Sequence, residues 1–297
     1  MNVAITGATG LVGTQLSDFL AAAGHQVVRV VRRDPQAGEV FWKPSAGEID
    51  QAGLEGVQAV VHLACENVGG GRWTAARKKR IRDSRVQGTE LLCNALAQLA
   101  SPPQVLVSAS AIGYYGNRGD ELLTEASQPG NDFLASVCQQ WEAATQSASR
   151  AGIRVVNLRI GVIMSPRGGA LPKMLTPFKL CLGGKVGSGR QYWSWIGIDD
   201  VVGAVHHAIV TESLAGPVNA VSQKPLTNLE FTKVLGRVLK RPTIFPMPAF
   251  AARLAFGEMA DGLLLCSQKV QPSKLAESGY QFRHENLEDA LRHLLAR

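Results

Sequence analysis

The sequence predicts an α/β fold in which a doubly wound parallel sheet is covered by helices on both faces. Almost continuous runs of Val, Ile, Leu and Ala recur through the first two thirds of the chain. Segments of helical length and spacing separate these runs, and a glycine-rich turn follows the first of them. Strands that are buried on both faces have this continuous apolar pattern, and parallel strands need helical crossovers. The alternation therefore indicates a layered α/β domain.

The predicted elements alternate in order along the chain. The predicted strands cover 3–5, 27–31, 59–63, 105–108, 155–159 and 217–221, and the predicted helices cover 11–23, 81–99, 132–148 and 287–295. After about Gly161 glycine and proline become frequent, and from Thr227 the pattern is mainly helical. We therefore predict two units that pack against each other. The sheet domain comprises residues 1–165 plus 198–225, and the smaller, mainly helical lobe comprises residues 166–197 plus 226–297.

The charge balance restricts the partners. The chain carries 31 Lys and Arg against 24 Asp and Glu, and this net charge of +7 favours anionic ligands such as nucleic acid or a phosphorylated cofactor. Basic residues cluster between Arg72 and Arg85, but no zinc-finger or RNA-binding motif accompanies them. A solvated helix face explains such a run equally well. We therefore expect no nucleic-acid partner.

Cysteine usage and hydropathy indicate the environment. The five cysteines are scattered and none forms a C-x-x-C pair, so we expect neither a disulfide framework nor a structural zinc site. The adjacent His206 and His207 point to different helix faces and make a poor metal pair, so no metal is expected. The sequence shows no apolar run of membrane length and no secretory leader pattern. These features predict a cytoplasmic protein without a membrane partner.

A glycine-rich turn between the first strand and the first helix is the strongest functional signal. Gly7, Gly10 and Gly13 follow the strand directly and open the helix. In a dinucleotide-binding turn the first glycine permits the sharp bend, the second lets the backbone approach the pyrophosphate, and the third allows close packing of helix and strand. Free N–H groups at the start of a helix bind phosphate. The predicted contacts are Gly7, Thr9, Gly10, Leu11, Val12 and Gly13.

The end of the second predicted strand indicates which dinucleotide binds. An acidic residue there bonds the ribose 2′-OH of NAD, whereas an arginine accommodates the 2′-phosphate of NADP. The sequence has Arg32 and Arg33 directly after the strand, and Asp34 is the nearest acid. A guanidinium can hold a phosphate through two parallel hydrogen bonds. We therefore predict NADP(H) as the cofactor, with Arg32 as its 2′-phosphate contact.

Longer motifs carry a resemblance to a known family. They lie at 6–13, 62–64, 66–68, 71–73, 81–85, 108–116, 193–200, 216–220, 256–260 and 279–282. With these motifs the chain resembles the extended, atypical short-chain dehydrogenase/reductase superfamily. Within it, the chain is similar to a nucleotide-sugar-epimerase-like family whose members end in a domain of unknown function. Those members are labelled "epimerase family protein" or, at times, "cell division inhibitor".

The resemblance implies a fold and further contacts. It implies a Rossmann-like domain that binds NADP(H) and a C-terminal lobe that forms a substrate cleft with it. Leu63 and Ala64 would line the cofactor beside the third predicted strand. Arg85 occupies a position where sugar epimerases place an asparagine near the cofactor, and an arginine there could reach the pyrophosphate. A surface arginine on a helix is the alternative interpretation.

The resemblance also specifies what an active site should contain. Oxidoreductases of this superfamily use a tyrosine as general acid/base, a lysine four residues later that lowers the tyrosine pKa, and a serine that bonds the substrate carbonyl. Ser110, just past a predicted strand, matches the serine. The helix that should carry the other two has Leu134 at the tyrosine position and Cys138 at the lysine position. No Y-x-x-x-K occurs in the chain, so the usual proton relay is absent.

Three hypotheses for the function follow. In the first, Tyr114 or Tyr115 supplies the proton, and a cation such as Lys185 or Arg159 tunes it. In the second, Cys138 acts as acid or nucleophile, although a helix cysteine more often belongs to an inert core. In the third, no turnover occurs and a protein partner responds to the state of the bound NADP(H). The first two hypotheses require a small-molecule substrate, either a carbonyl compound or a nucleotide sugar.

Overall fold

The computed structural model describes residues 1–296. Its strands are β1 (Asn2–Thr6), β2 (Gln26–Val31), β3 (Glu39–Lys43), β4 (Glu48–Ile49), β5 (Ala59–His62), β6 (Val105–Ala111), β7 (Leu122–Leu123), β8 (Arg154–Ile160), β9 (Val162–Met164), β10 (Tyr192–Trp193), β11 (Trp195–Gly197), β12 (Gly216–Ala220), β13 (Leu226–Thr227) and β14 (Lys269–Val270). Its helices are α1 (Leu11–Ala22), α2 (Ala75–Leu96), α3 (Phe133–Ala143), α4 (Gln146–Arg150), α5 (Leu171–Lys179), α6 (Ile198–Val210), α7 (Asn228–Leu239), α8 (Ala249–Phe256), α9 (Ser273–Glu277) and α10 (Leu287–Leu294).

One large sheet organises the molecule. Eight strands pair in the order β12-β8-β6-β5-β1-β2-β3-β4. Every neighbouring pair is parallel except β3 and β4, which form an antiparallel hairpin at one edge. From β1 the chain moves outwards through β2 and β3, and it then returns to the other side of β1 at β5. Strand order therefore reverses between β1 and β5, and open α/β sheets bind ligands at the carboxyl ends of the strands at such a point.

The two faces of the sheet explain why its strands are apolar throughout. On β1, Val3 and Ile5 belong to a core that also contains Leu16 of α1 and Val205 of α6. Ala4 faces the opposite side, in a second core that includes residues of α2. Successive side chains of a strand point to opposite faces, so a strand with a helix layer on each face buries every position.

The doubly wound parallel sheet predicted from the sequence is confirmed, and two details differ. The strands β3 and β4 extend the sheet beyond β2, where no strand was predicted. The predicted helix over 132–148 is two helices, α3 and α4. At the break the Thr145 hydroxyl donates to the Glu142 carbonyl over 2.7 Å, a local hydrogen bond that competes with helix continuation.

The second lobe has a core of its own. That core contains large side chains from several elements, among them Leu171, Phe178, Trp193, Trp195, Phe231, Leu235, Leu287 and Leu291. Leu275 and Tyr280, which the predicted boundaries assign to this lobe, pack instead on the core beneath the sheet. The chain thus returns to the sheet domain after α9 before it ends in α10. Within residues 1–296, no helix has both the length and the apolar character needed to cross a bilayer.

Candidate cofactor and active site

The glycine turn closes tightly between β1 and α1. The Gly10 N–H donates to the Gly7 carbonyl over 2.9 Å, and Gly7 has a φ of +71°, in the left-handed region that favours glycine. A Cβ on Gly13 would lie 2.1 Å from the Gly7 oxygen, and one on Gly7 would lie 3.0 Å from the Ala64 nitrogen. Neither position can carry a side chain without displacing backbone. The first turn of α1 holds no acidic side chain, so its N–H groups are available to an anion.

A buried hydrogen-bond chain fixes the backbone beside this turn. The Thr6 hydroxyl accepts from the Leu63 and Ala64 N–H groups over 3.1 and 3.2 Å and lies 2.7 Å from Nδ1 of His62. On the other side of the ring, Nε2 lies 3.0 Å from the Thr89 hydroxyl, which donates to a helix carbonyl. Every member has a partner when His62 is neutral and protonated on Nε2. These hydrogen bonds therefore hold residues 63–64 against the glycine turn, at the point between β1 and β5 where the strand order reverses.

The burial of His62 predicts a pH dependence of stability. Burial lowers the pKa of His62 from 6.5 to about 4. Between pH 6.5 and 4 the His62 imidazole is therefore protonated in the unfolded state and neutral in the folded state. As a result, the free energy of unfolding falls as pH decreases from 6.5 towards 4. The full loss from this group is about 3 kcal/mol. Urea denaturation across this pH range should show the decrease and a smaller slope in His62→Gln. An equal slope in the variant would assign the pH dependence to other groups.

The end of β2 presents a free guanidinium. Arg33 is engaged, because it pairs with Glu39 over 2.7 Å and donates to the Asp34 carbonyl. Arg32 is exposed, and within the described part of the chain it has neither a hydrogen bond nor an ion pair. An arginine at this position with no internal partner can bind an anionic group. The residue predicted to contact the 2′-phosphate is thus the unengaged member of the pair.

The basic run serves mainly internal contacts. Arg77 donates to the Asn67 carbonyl over 2.6 Å, and Lys78 pairs with Glu258 of the second lobe over 2.5 Å. Arg72 donates to carbonyls at the end of α8. Arg85 is buried, and its Nη1 donates to the carbonyls of residues 66 and 81 over 3.0 Å each. These contacts tie the 66–72 segment to α2 and the second lobe. The contact of Arg85 with a pyrophosphate stays a prediction.

Ser110 takes part in a buried ion-pair network. Its hydroxyl donates to Oε1 of Glu142 over 2.7 Å. Arg159 of β8 binds the same carboxylate through Nε and Nη2, both at 2.8 Å, in a two-pronged pair whose side chains are 3% and 13% exposed. Such a pair is rigid and directional. The structure therefore places Ser110 at the carboxyl end of β6, with its proton directed towards Glu142.

The two neighbouring tyrosines have different environments. Tyr115 is fully buried, its hydroxyl donates to Asn219 over 2.7 Å, and it accepts from Nη1 of Arg159 over 3.0 Å. Burial raises the pKa of Tyr115, although Arg159 opposes the rise. The hydroxyl of Tyr115 is thus buried and hydrogen-bonded within the core, which disfavours the predicted role of proton donor, and that role stays a prediction. Tyr114 is half-buried, and the Arg159 guanidinium carbon lies 3.4 Å from its ring centre.

The positions of the missing tyrosine and lysine are apolar. Leu134 packs in a cluster with Trp73, Phe133 and Met259. Cys138 is 3% exposed, and burial raises the pKa of its thiol to about 12. A thiol is a nucleophile only as thiolate, so burial and a raised pKa both disfavour a nucleophilic role for Cys138. The hypothesis that Cys138 acts as acid or nucleophile stays a prediction.

The structure brings together some of the predicted residues and adds others. Ser110, Tyr114 and Arg159 meet at the ends of β6 and β8, whereas Lys185 lies in a loop of the second lobe and donates to the Ser188 carbonyl over 3.4 Å. Sequence reasoning missed Glu142 as the partner of Ser110. The only sign of this residue in the sequence is the Trp141-Glu142 pair within the predicted helix 132–148. Nothing in the sequence links that pair to Ser110, because the two come from distant segments.

A parallel sheet whose strand order reverses beside a glycine turn defines a Rossmann-like dinucleotide-binding protein. The family that matches most of this sequence belongs to the same class of protein. The family described as "NAD dependent epimerase/dehydratase family" matches residues 3–220, and a domain of unknown function (DUF1731) matches residues 247–294. The chain belongs to the NAD dependent epimerase/dehydratase family, in the short-chain dehydrogenase/reductase superfamily.

Individual relatives span the whole chain. Epimerase family protein Mb2239 of Mycobacterium bovis is 46% identical over 290 residues, which are 97% of this chain and 96% of that protein. The crystal structure of human epimerase family protein SDR39U1 (isoform 2) with NADPH has a TM-score of 0.92 at 34% identity and covers 100% of both chains. UDP-N-acetylglucosamine 4-epimerase from Bacillus cereus has a TM-score of 0.77 at 18% identity, which shows a shared fold alone.

Proposed function

We propose that this protein binds NADP(H) at the switch point between β1 and β5. The observation that carries the proposal is the pairing at the end of β2, where Glu39 engages Arg33 and Arg32 stays free. Any Cβ on Gly7 or Gly13 would meet the backbone of Ala64 or Gly7, so the turn closes as tightly as a pyrophosphate-binding turn requires, and the start of α1 carries no side-chain cap. The human relative solved with NADPH supports the choice of cofactor.

Each part of the site has a binding role in this proposal. The N–H groups at the start of α1 would hold the pyrophosphate, Arg32 the 2′-phosphate, and the backbone of residues 63–64 the ribose and nicotinamide side of the cleft. The Thr6–His62–Thr89 chain keeps that backbone in place. When bound, the cofactor supplies a hydride at its nicotinamide ring. Whether a substrate can accept this hydride then depends on the side chains that surround the nicotinamide ring.

Replacing Arg32 tests the choice between NADP(H) and NAD(H). Removing a charge-assisted hydrogen bond costs about 1.5–3 kcal/mol, so Arg32→Ala should weaken NADPH binding roughly 10- to 150-fold. NADH lacks the 2′-phosphate and should bind wild type and variant alike. Isothermal titration calorimetry measures all four affinities. Arg33→Ala is the matched control, since that guanidinium already pairs with Glu39. The proposal fails if Arg32→Ala leaves the NADPH affinity unchanged.

The geometry supports cofactor binding without the usual tyrosine–lysine chemistry. Leu134 and Cys138 replace the relay with buried apolar groups, and the hydroxyl of Tyr115 is engaged in the core. The Ser110 proton is directed to a carboxylate that Arg159 neutralises. A protein that responds to NADP(H) by binding, with a partner sensing the bound state, is therefore the function that the site supports best.

One observation favours reductase chemistry as a second candidate. Tyr114 stacks on Arg159, and its hydroxyl makes no hydrogen bond within the described residues. A half-buried phenol beside a cation and next to Ser110 could donate a proton to a substrate carbonyl. The substrate class would then be a carbonyl compound or a nucleotide sugar, as the family implies.

Phenylalanine substitutions separate the two candidates. Tyr115→Phe leaves the buried Oδ1 of Asn219 without a partner and removes one acceptor from Nη1 of Arg159, so it should lower the free energy of unfolding by about 1–3 kcal/mol. Tyr114→Phe should leave it unchanged, since no hydrogen bond is lost. If any member of a panel of carbonyl compounds and nucleotide sugars oxidises NADPH, loss of the general acid should slow turnover by about 100-fold or more. Turnover that persists in Tyr114→Phe would exclude the second candidate.

A further inference from the structure

Three side chains of types that can ligate a metal ion meet at the first turn of α6. Asp199 lies in the first turn of α6, His284 in the segment before α10, and His293 in the last turn of α10. Their ligand atoms all lie within 4.8 Å of one another. Nε2 of His293 is 3.1 Å from Oδ2 of Asp199, and the two imidazole rings are 4.9 Å apart. No spacing motif reveals this cluster, because Asp199 lies far from the two histidines along the chain.

His284 provides an independent sign that a ligand is needed. Its Nε2 atom is buried, and it has no hydrogen-bond partner among the described residues. Leaving a buried polar atom unpaired costs about 1–3 kcal/mol, and native proteins rarely tolerate it without a reason. A metal ion bound between His284 and its two neighbours would satisfy this nitrogen.

The carboxylate of Asp199 is oriented for such a role. Its Oδ1 accepts from Nε2 of Gln15 over 2.5 Å, which leaves Oδ2 directed to His293. Hydrogen bonds of this kind fix the orientation of metal ligands. Asp199 also borders a cavity of about 420 Å³ between α1, α6 and the segment at Tyr280, and the His293 side chain is 54% exposed, so an ion can reach the cluster from solvent.

We infer that Asp199, His284 and His293 bind a divalent transition-metal ion of the zinc class. Two imidazole nitrogens and one carboxylate oxygen suit Zn²⁺ and its neighbours, whereas Mg²⁺ and Ca²⁺ prefer oxygen ligands. Ligands about 2.0–2.1 Å from a tetrahedral zinc lie roughly 3.4 Å apart. The His293–Asp199 pair is 3.1 Å apart, slightly closer than that spacing, and all three ligand atoms lie within 4.8 Å of one another, so ligation requires the side chains to adjust. Water completes the fourth position.

The ion would fasten the end of the chain to the sheet domain. Asp199 belongs to α6, which packs beneath the sheet, whereas His293 belongs to α10, which packs on α7 in the core of the second lobe. A ligand that binds only the folded state stabilises it in proportion to the logarithm of its concentration. The metal would thus strengthen the junction between the two lobes, independently of NADP(H).

Titration of the full-length, metal-free protein with ZnCl₂ tests the inference. Calorimetry should give one site with a loss of at least about tenfold in affinity for His284→Ala and for Asp199→Asn. At about 100 times the dissociation constant, zinc should raise the Tm of the wild type by about 4 °C and that of the variants by less. MgCl₂ should produce neither effect.

A neighbouring histidine provides the matched control. His206 lines the same cavity and stacks on His25 with ring centres 5.6 Å apart, but no carboxylate belongs to that pair. His206→Ala should therefore bind zinc as the wild type does. The inference is overturned if zinc does not bind the wild type, or if binding survives in both Asp199→Asn and His284→Ala. Loss in His206→Ala instead of His284→Ala would also overturn it. Far-UV circular dichroism without metal verifies that each variant is folded.

Discussion

Gly13→Ala should abolish NADPH binding while the protein still folds. The new Cβ would lie 2.1 Å from the Gly7 oxygen and 2.8 Å from the Ala8 Cα, so α1 must move away from the turn. This movement displaces the N–H groups that would hold the pyrophosphate, and we expect the affinity to fall at least about 100-fold. Overpacking costs about 1–3 kcal/mol of stability, less than the stability of a typical domain. Calorimetry with NADPH and urea denaturation measure the two effects.

Gly197→Ala is the control for this substitution. Gly197 has an extended backbone, and a Cβ there would meet no atom closer than 3.8 Å, so alanine should fit. Its NADPH affinity should equal that of the wild type. If Gly13→Ala bound NADPH normally, the pyrophosphate could not lie on the turn between β1 and α1, and the proposed binding mode would be wrong.

Arg159→Met should destabilise the protein by about 3–5 kcal/mol, the typical cost of removing one partner of a buried ion pair. The substitution leaves the Glu142 carboxylate buried with only the Ser110 hydroxyl, and it removes a donor from Tyr115. The desolvated negative charge then has no compensation. Urea denaturation should show the loss, whereas NADPH affinity should change little, because no predicted cofactor contact involves this pair.

A double-mutant cycle separates the ion pair from general packing. Glu142→Met alone should also be costly, since it strands the Arg159 guanidinium. The double variant Arg159→Met/Glu142→Met should recover much of the loss, because paired apolar groups of similar volume often replace a buried ion pair without penalty. Additive losses in the double variant would show that the two side chains act independently, contrary to the geometry.

The sheet could be predicted from the sequence because its signal is local. Most of the long strands are rich in apolar residues and bounded by helices, and burial on both faces leaves that pattern in central strands such as β1, β5 and β6. The β3 strand was missed because only Val40 and Trp42 are buried, among polar or half-buried neighbours, so it lacks a continuous apolar run. The break between α3 and α4 depends on one hydroxyl–carbonyl contact at Thr145, which helical periodicity does not reveal.

The candidate site also contains some features with a local sequence pattern and others that depend on long-range contacts. The glycine turn and the unengaged Arg32 could be located from the sequence because residues adjacent in the chain define both, and their contacts with the cofactor stay predictions. The surroundings of Ser110 could not, since Glu142 comes from α3 and Arg159 from β8, and only the fold brings them together. The same holds for His62, whose lowered pKa comes from burial between β1 and α2 rather than from any motif. Long-range contacts of this kind leave no spacing pattern.

A crystal structure of the complex with NADPH would show directly where the cofactor binds. We expect the 2′-phosphate oxygens about 2.7–3.2 Å from the Arg32 guanidinium and the pyrophosphate on the first N–H groups of α1. We also expect that neither Tyr115 nor Cys138 reaches the nicotinamide ring. A 2′-phosphate bound elsewhere, with Arg32 left in solvent, would show that the proposed binding mode is wrong.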